Sequence, residues 1–94
     1  MEIRKVGVVG AGTMGNGIAQ VFAIAGYNVV MRDIKDEFIA RGLATIRKSL
    51  ERMASRAKIT PEAKDAALGR IEATTEMNAL ADCDLVIEAA LEDV

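Results

Sequence analysis

The chain has 94 residues, is 51% hydrophobic and 3% aromatic, and carries a net charge of −2. That balance gives no electrostatic case for a nucleic-acid partner, and the core must be aliphatic, as in parallel sheets built from Val, Ile and Leu. A single cysteine, Cys83, excludes an internal disulfide framework and lacks partners for a thiolate metal site; the absence of histidine excludes His-based catalysis within these residues. No stretch approaches the ~18 apolar residues of a membrane span, and Met1 to Lys5 runs straight into a strand without signal-peptide character. A soluble chain of a reducing compartment, the cytoplasm, with no membrane partner is the expectation.

Ile3 to Val9 reads as a short buried strand that ends in Gly10-Ala11-Gly12-Thr13-Met14-Gly15. Glycines spaced G-x-G-x-x-G between a strand and a helix suit the pyrophosphate of a dinucleotide. Gly10 permits the sharp turn, Gly12 leaves no Cβ in the way of a phosphate, and Gly15 lets the helix pack closely on the strand. The N–H groups of a first helical turn and the helix dipole favour the negative charge. A lone glycine motif is weak, because glycines used only for geometry occur in many turns. Here it opens a helix, Thr13 to Ala25, with apolar residues Met14, Ile18, Val21, Phe22 and Ala25. Gly26 suits a left-handed helix stop, and a second strand, Tyr27 to Asp33, follows. Crossovers of this kind are nearly always right-handed, so the two strands run parallel and Asp33 arrives beside the turn. It stands close to the ~20-residue spacing expected of a ribose-binding carboxylate.

A long helix is expected from Asp36 to Ala57, with Ile39, Leu43, Ile46, Leu50, Met53 and Ala57 at alternating four- and three-residue steps on one face. Arg41, Lys48, Arg52 and Arg56 gather on the other side, with Ser49 near the boundary. Two readings of this basic strip stay open: a solvated face relieved by Glu37 and Glu51, or a docking strip for an anionic substrate or partner. Thr60-Pro61-Glu62 starts a further helix, with Thr60 as N-cap and Pro61 in the first helical position, ending near Gly69-Arg70. The two helices form an antiparallel hairpin through Ser55 to Ile59 that is expected to project from the sheet. Ile71 to Thr75 reads as a short edge strand, Met77 to Ala81 as one helical turn, and Asp84 to Ala89 as a fourth strand. The implied strand order is 3-2-1-4, the first half of a doubly wound sheet.

Gly10 to Gln20 (GAGTMGNGIAQ), Ala25 to Ile34 (AGYNVVMRDI) and Ala81 to Glu92 (ADCDLVIEAALE), together with the hairpin ending in Lys58-Ile59-Thr60, resemble the short-chain L-3-hydroxyacyl-CoA dehydrogenases. The bacterial 3-hydroxybutyryl-CoA enzymes look most similar. Asn16 departs from the pattern, since a small residue is more usual there; little effect on cofactor binding is expected. The resemblance implies an α/β fold: a Rossmann-type parallel sheet with a projecting helical hairpin, spanning residues 1–94 as an incomplete NAD-binding domain. It implies NAD held by Gly10, Ala11, Gly12, Thr13, Met14 and Gly15, with Asp33 accepting from the adenosine ribose hydroxyls and opposing a 2′-phosphate. Arg32 beside it weakens that opposition. Ala89 and Glu92 would line the nicotinamide side, whereas Glu88 reads better as a strand-end carboxylate bonded to local backbone.

The resemblance also places coenzyme A contacts at Ser49 and Arg56, which gives the basic strip a polyanionic occupant without closing the solvated-face reading. It assigns no catalytic residue and no metal ligand to these residues. The family's histidine and glutamate, its substrate-positioning serine and asparagine, the remaining strands and the dimer-forming helical domain would lie beyond Val94. The 94 residues are therefore expected to be part of a longer, homodimeric enzyme, and alone to bind NAD weakly and not to turn over. Two competing readings carry a different chemistry. One is a β-hydroxyacid dehydrogenase of the 6-phosphogluconate type, against which Asp33 argues. The other is a non-enzymatic nucleotide-sensing module, which has no use for the long basic hairpin.

Overall fold

A computed structural model describes residues 2–89. Strands β1 (Lys5–Val9), β2 (Asn28–Arg32), β3 (Ile71–Thr74) and β4 (Leu85–Glu88) form one parallel sheet in the order β3-β2-β1-β4. The register pairs Val8 with Met31 on one side and with Ile87 on the other. Helices α1 (Thr13–Ile24), α2 (Asp36–Ser55) and α3 (Pro61–Gly69) connect the first three strands, and a 3₁₀ turn, Met77–Leu80, leads towards β4.

Side-chain alternation decides what each face meets. Val6, Val8, Val29 and Met31 join Ala19 and Ala23 of α1, Ile39, Ile46 and Leu50 of α2, and Ala67 of α3 in one buried cluster. Gly7, pointing the other way, backs onto the 3₁₀ turn, where a Cβ would lie 2.8 Å from Leu80 Cδ2. The α3 side of the hairpin is anchored rather than free. Arg70, just past its end, donates from Nη1 to the Ala23 carbonyl at 2.8 Å, adding to the bond that carbonyl accepts from Gly26 N and setting a cation where the dipole of α1 favours one. Among the described residues no helix is long and apolar enough to cross a membrane.

The elements keep their expected order; β2, β3, β4 and α1 are each one or two residues shorter than expected, and three further details differ. β1 begins at Lys5, not Ile3, because the amides of Arg4 and Lys5 both donate to Asp84 Oδ2, at 2.9 and 3.0 Å, so a side chain holds the chain before the ladder starts. The buried face of α1 is Gly15, Asn16, Ala19 and Ala23, whereas Met14 is 49% and Val21 65% exposed. A helix drawn close to a sheet must face it with small residues, so Met14 and Val21 fall to the side while Ile18 and Phe22 pack against the margin of the core. Finally, α2 stops at Ser55 instead of Ala57.

That stop is made by Ala57 itself, which adopts a left-handed conformation with φ 58°. Lys58 N donates to Met53 O at 2.8 Å, closing the helix end in the manner usually given to glycine. Left-handed backbone strains a residue that carries a Cβ, by roughly 1–2 kcal/mol, while glycine loses more chain entropy on folding. Ala57→Gly should therefore stabilise the domain by up to about 1 kcal/mol, read as a raised thermal midpoint. The Thr60 N-cap is as expected, with Oγ1 accepting from Ala63 N at 3.0 Å and Pro61 following it.

Candidate functional site

The site grows from the carboxyl end of β1. Gly10 takes φ 115°, a conformation that glycine tolerates and other residues resist, and its amide donates to Arg32 O at 2.7 Å. The chain can then reverse into α1 at once. A Cβ on Gly15 would sit 1.8 Å from the Gly10 carbonyl oxygen, so the first turn of α1 lies directly on the strand end. Gly12 has an ordinary φ of −72° and gives α1 no side-chain cap. Conformation does not require glycine there, and the residue is exposed in the lining of the cleft.

Asp33 closes the turn from the neighbouring strand. Its Oδ2 accepts from Ala11 N at 2.8 Å and its Oδ1 from Ile34 N at 2.7 Å. A carboxylate oxygen can accept twice, so acceptor capacity for ribose hydroxyls remains while both oxygens stay fixed. The cleft beside them has a volume of about 530 Å³ and is lined by Gly10, Ala11, Gly12, Thr13, Asn16 and Asp33, with Ile34, Phe38, Arg41, Gly42 and Thr45 across from the turn. These residues fit a dinucleotide: two glycines bare the backbone at a helix N-terminus, and a fixed carboxylate faces the same space.

The structure brings together Gly10, Ala11, Gly12, Thr13 and Asp33 of the residues singled out in the sequence. Gly15 acts one layer below, as the contact that seats α1. Met14 is half exposed and does not line the cleft. Ala89 lies in the core, its amide donating to Val9 O at 2.8 Å, and Glu92 lies outside the described residues. Ser49 is half-buried on α2 and Arg56, the C-cap residue just past its end, is exposed; neither lines the cleft. Arg32 turns away from the site, with Nε donating to Thr75 O at 3.1 Å.

The sequence pattern does not announce the wall that α2 supplies. Phe38, Arg41, Gly42 and Thr45 recur at helical spacing on a side of α2 adjacent to its core face. Arg41, grouped with the basic strip, belongs to this wall. Gly42 is the signal that could have revealed it, since a glycine inside a helix marks close packing. A Cβ there would come 2.7 Å from Ala11 O and 3.1 Å from Ala11 Cβ, so α2 presses onto the turn itself. Asn16 is also more engaged than its position as a mere departure implied. It is buried, and its Nδ2 donates to Gly12 O at 2.7 Å, holding the peptide at the head of α1.

The perturbed titrations lie at the other end of β1. Lys5 is raised and Asp82 lowered by their mutual hydrogen bond at 3.0 Å. Asp84 is lowered by the amides of Arg4 and Lys5, and burial raises Cys83. Among the described residues no group of His, Cys, Asp and Glu could hold a metal ion.

The strand order reverses at β1, whose neighbours β2 and β4 lead to opposite sides, and the cleft opens where the β1 and β2 strands end. This is the topological position at which dinucleotide-binding domains of the Rossmann type hold their ligand. The comparison with known families narrows the class. The 3-hydroxyacyl-CoA dehydrogenase NAD binding domain matches residues 5–94, and the chain belongs to that family, whose cofactor is NAD. It is 53% identical over 90 residues to a 3-hydroxybutyryl-CoA dehydrogenase of Bradyrhizobium diazoefficiens, covering 96% of this chain and 31% of the relative. The crystal structure of (S)-3-hydroxybutyryl-CoA dehydrogenase from Ralstonia eutropha superposes with a TM-score of 0.92 at 52% identity, over 95% of this chain and 31% of that one. FadB2 of Mycobacterium tuberculosis gives a TM-score of 0.95 at 48% identity, over 99% and 33%. The chain thus spans about a third of the length of these relatives. Neither the 6-phosphogluconate-type nor the sensing-module alternative is favoured by these matches.

Two substitutions test the geometry. Gly42→Ala should force α2 off the turn and weaken NADH binding by about tenfold or more in the full-length protein, by fluorescence titration, with helical content retained. Asn16→Ala removes one hydrogen bond and part of the cleft wall, and should weaken NADH binding by about two- to tenfold in the same titration.

Proposed function

We propose that this chain is the cofactor-holding part of an NAD-dependent dehydrogenase that interconverts L-3-hydroxyacyl-CoA and 3-ketoacyl-CoA, with 3-hydroxybutyryl-CoA as substrate. The reading rests on one observation above the others: the Asp33 carboxylate is fixed by the turn amide of Ala11 and faces the cleft that the glycines line. NAD, when bound, supplies hydride chemistry at its nicotinamide ring. Gly10, Gly12 and Thr13 contribute a phosphate seat, Gly15 the close packing beneath it, and Asp33 the ribose acceptors. Met14 belongs to the first turn above the seat, and Ala89 with Glu92 to the nicotinamide side. No residue of this chain acts as the acid or base; in the whole enzyme a histidine oriented by a glutamate takes the hydroxyl proton.

Ser49 and Arg56 are the proposed coenzyme A contacts. Support for Ser49 is helical spacing, since it follows Phe38, Gly42 and Thr45 at three- or four-residue steps along α2; Arg56 is the exposed cation just past the helix end. A cytoplasmic homodimer acting in fatty acid and butanoate metabolism, with no nucleic-acid or membrane partner, completes the reading.

Full-length protein should oxidise NADH, but not NADPH, when acetoacetyl-CoA is supplied. Arg56→Ala should raise the KM for acetoacetyl-CoA by about two- to fivefold, the range of an exposed ionic contact. Loss of NADH absorbance is the readout. Activity with NADPH, or none with the acyl-CoA, would count against the assignment.

A further inference from the structure

Asp33 is the one acidic side chain that lines the cleft among the described residues, and Arg41 is the one basic side chain. Arg41 is held loosely. Its ion pair with Glu37 is 3.7 Å long, with both side chains largely exposed, an arrangement that constrains a guanidinium little. Its guanidinium carbon stands 6.0 Å from the centroid of the Phe38 ring, another lining residue. Lys35, the N-cap residue of α2, brings Nζ to 5.6 Å from the same centroid. Two cations thus rest against one ring in the wall of the cleft, two and eight positions along the chain from the carboxylate. The cation adjacent in sequence, Arg32, is committed elsewhere, to the Thr75 carbonyl.

A phosphate on the adenosine 2′-oxygen would enter the space next to the hydroxyls that Asp33 accepts from. Like charge disfavours it there, and Arg41 and Lys35 favour it. We propose that Arg41, assisted by Lys35, forms a latent site for a 2′-phosphorylated adenosine, kept closed by the Asp33 charge. Selectivity against NADPH then rests on a single carboxylate opposed by a cationic pair already in place, not on a wall that lacks cations. This deepens the proposed function and rests on its placement of the adenosine ribose at Asp33.

The test measures dissociation constants of NADH and NADPH by fluorescence titration of the full-length protein. Asp33→Ser should lower the ratio of NADPH to NADH dissociation constants by about tenfold or more, the scale of a charged hydrogen bond gained in place of a repulsion. Asp33→Ser with Arg41→Ala should lose about threefold or more of that change, the rest being relief of the Asp33 repulsion, and with Lys35→Ala a smaller part. Asp33 also braces two backbone amides, so Arg41→Ala in the native background provides an arm that does not depend on folding of the Asp33 variant. There the ratio should rise by about threefold or more. An unchanged ratio in Arg41→Ala, or a change in Asp33→Ser that is undiminished by removal of Arg41, overturns the inference while leaving NAD binding intact. Failure of the native protein to bind NADH would instead overturn the function on which it rests.

Discussion

The carbonyl oxygen of Gly10 is the fixed point of this molecule. Helix α1 approaches it so closely that even a methyl group on Gly15 has no room. Once that approach is set, α1 must meet the sheet with residues no larger than Ala19, Ala23 and Asn16, and the turn between strand and helix is shortened to Gly10, Ala11 and Gly12. A second close approach, Gly42 of α2 against Ala11, follows from the first, because only a turn held flat against β1 leaves its back open to another helix. The cleft is the space these two backbone contacts leave between the helix ends. Its shape therefore depends on atoms that are missing from two glycines more than on any side chain present.

Polar groups then fix what close packing has positioned. Asp33 bonds across the strands to Ala11, and Asn16 bonds back to the Gly12 carbonyl, so the turn is braced by a carboxylate from one side and an amide from the other. Both braces also line the cleft. A ligand meeting them meets groups already oriented, and little ordering is left to offset the binding free energy. The opposite end of the sheet uses the same device for stability alone: Asp84 collects the amides of Arg4 and Lys5, and Lys5 pairs with Asp82.

Much of this was legible in the sequence because the responsible signals are local. A glycine triplet after a valine-rich strand, a carboxylate at the next strand end, and alternation of helical and strand patterns suffice for the order 3-2-1-4 and for Gly10, Gly12 and Asp33. What escaped depends on contacts between distant segments. The buried face of α1 cannot be read from its large residues, since its closeness to the sheet selects small ones. Nothing local marks Ala57 as a helix stop, because its left-handed turn is made without glycine. The α2 wall was hidden because Phe38 and Arg41 read as surface residues until Gly42 brings their helix against Ala11. Met14 belongs to the motif but is half exposed, and Ala89, which the family resemblance puts at the nicotinamide side, is buried at the end of β4.

The role of α2 follows from carrying two stripes at once. Ile39, Ile46 and Leu50 bury one face, and the stripe beside it, through Phe38, Gly42 and Thr45, walls the cleft. Continued along the helix at ~1.5 Å per residue, that second stripe reaches Ser49 about 10 Å beyond Gly42. Arg52 lies nearby on the same helix, and Arg56 follows just past its end. One helix thus carries both the wall of the cleft and most of the basic strip, and the contact of Gly42 with Ala11 fixes how closely it approaches the glycine turn.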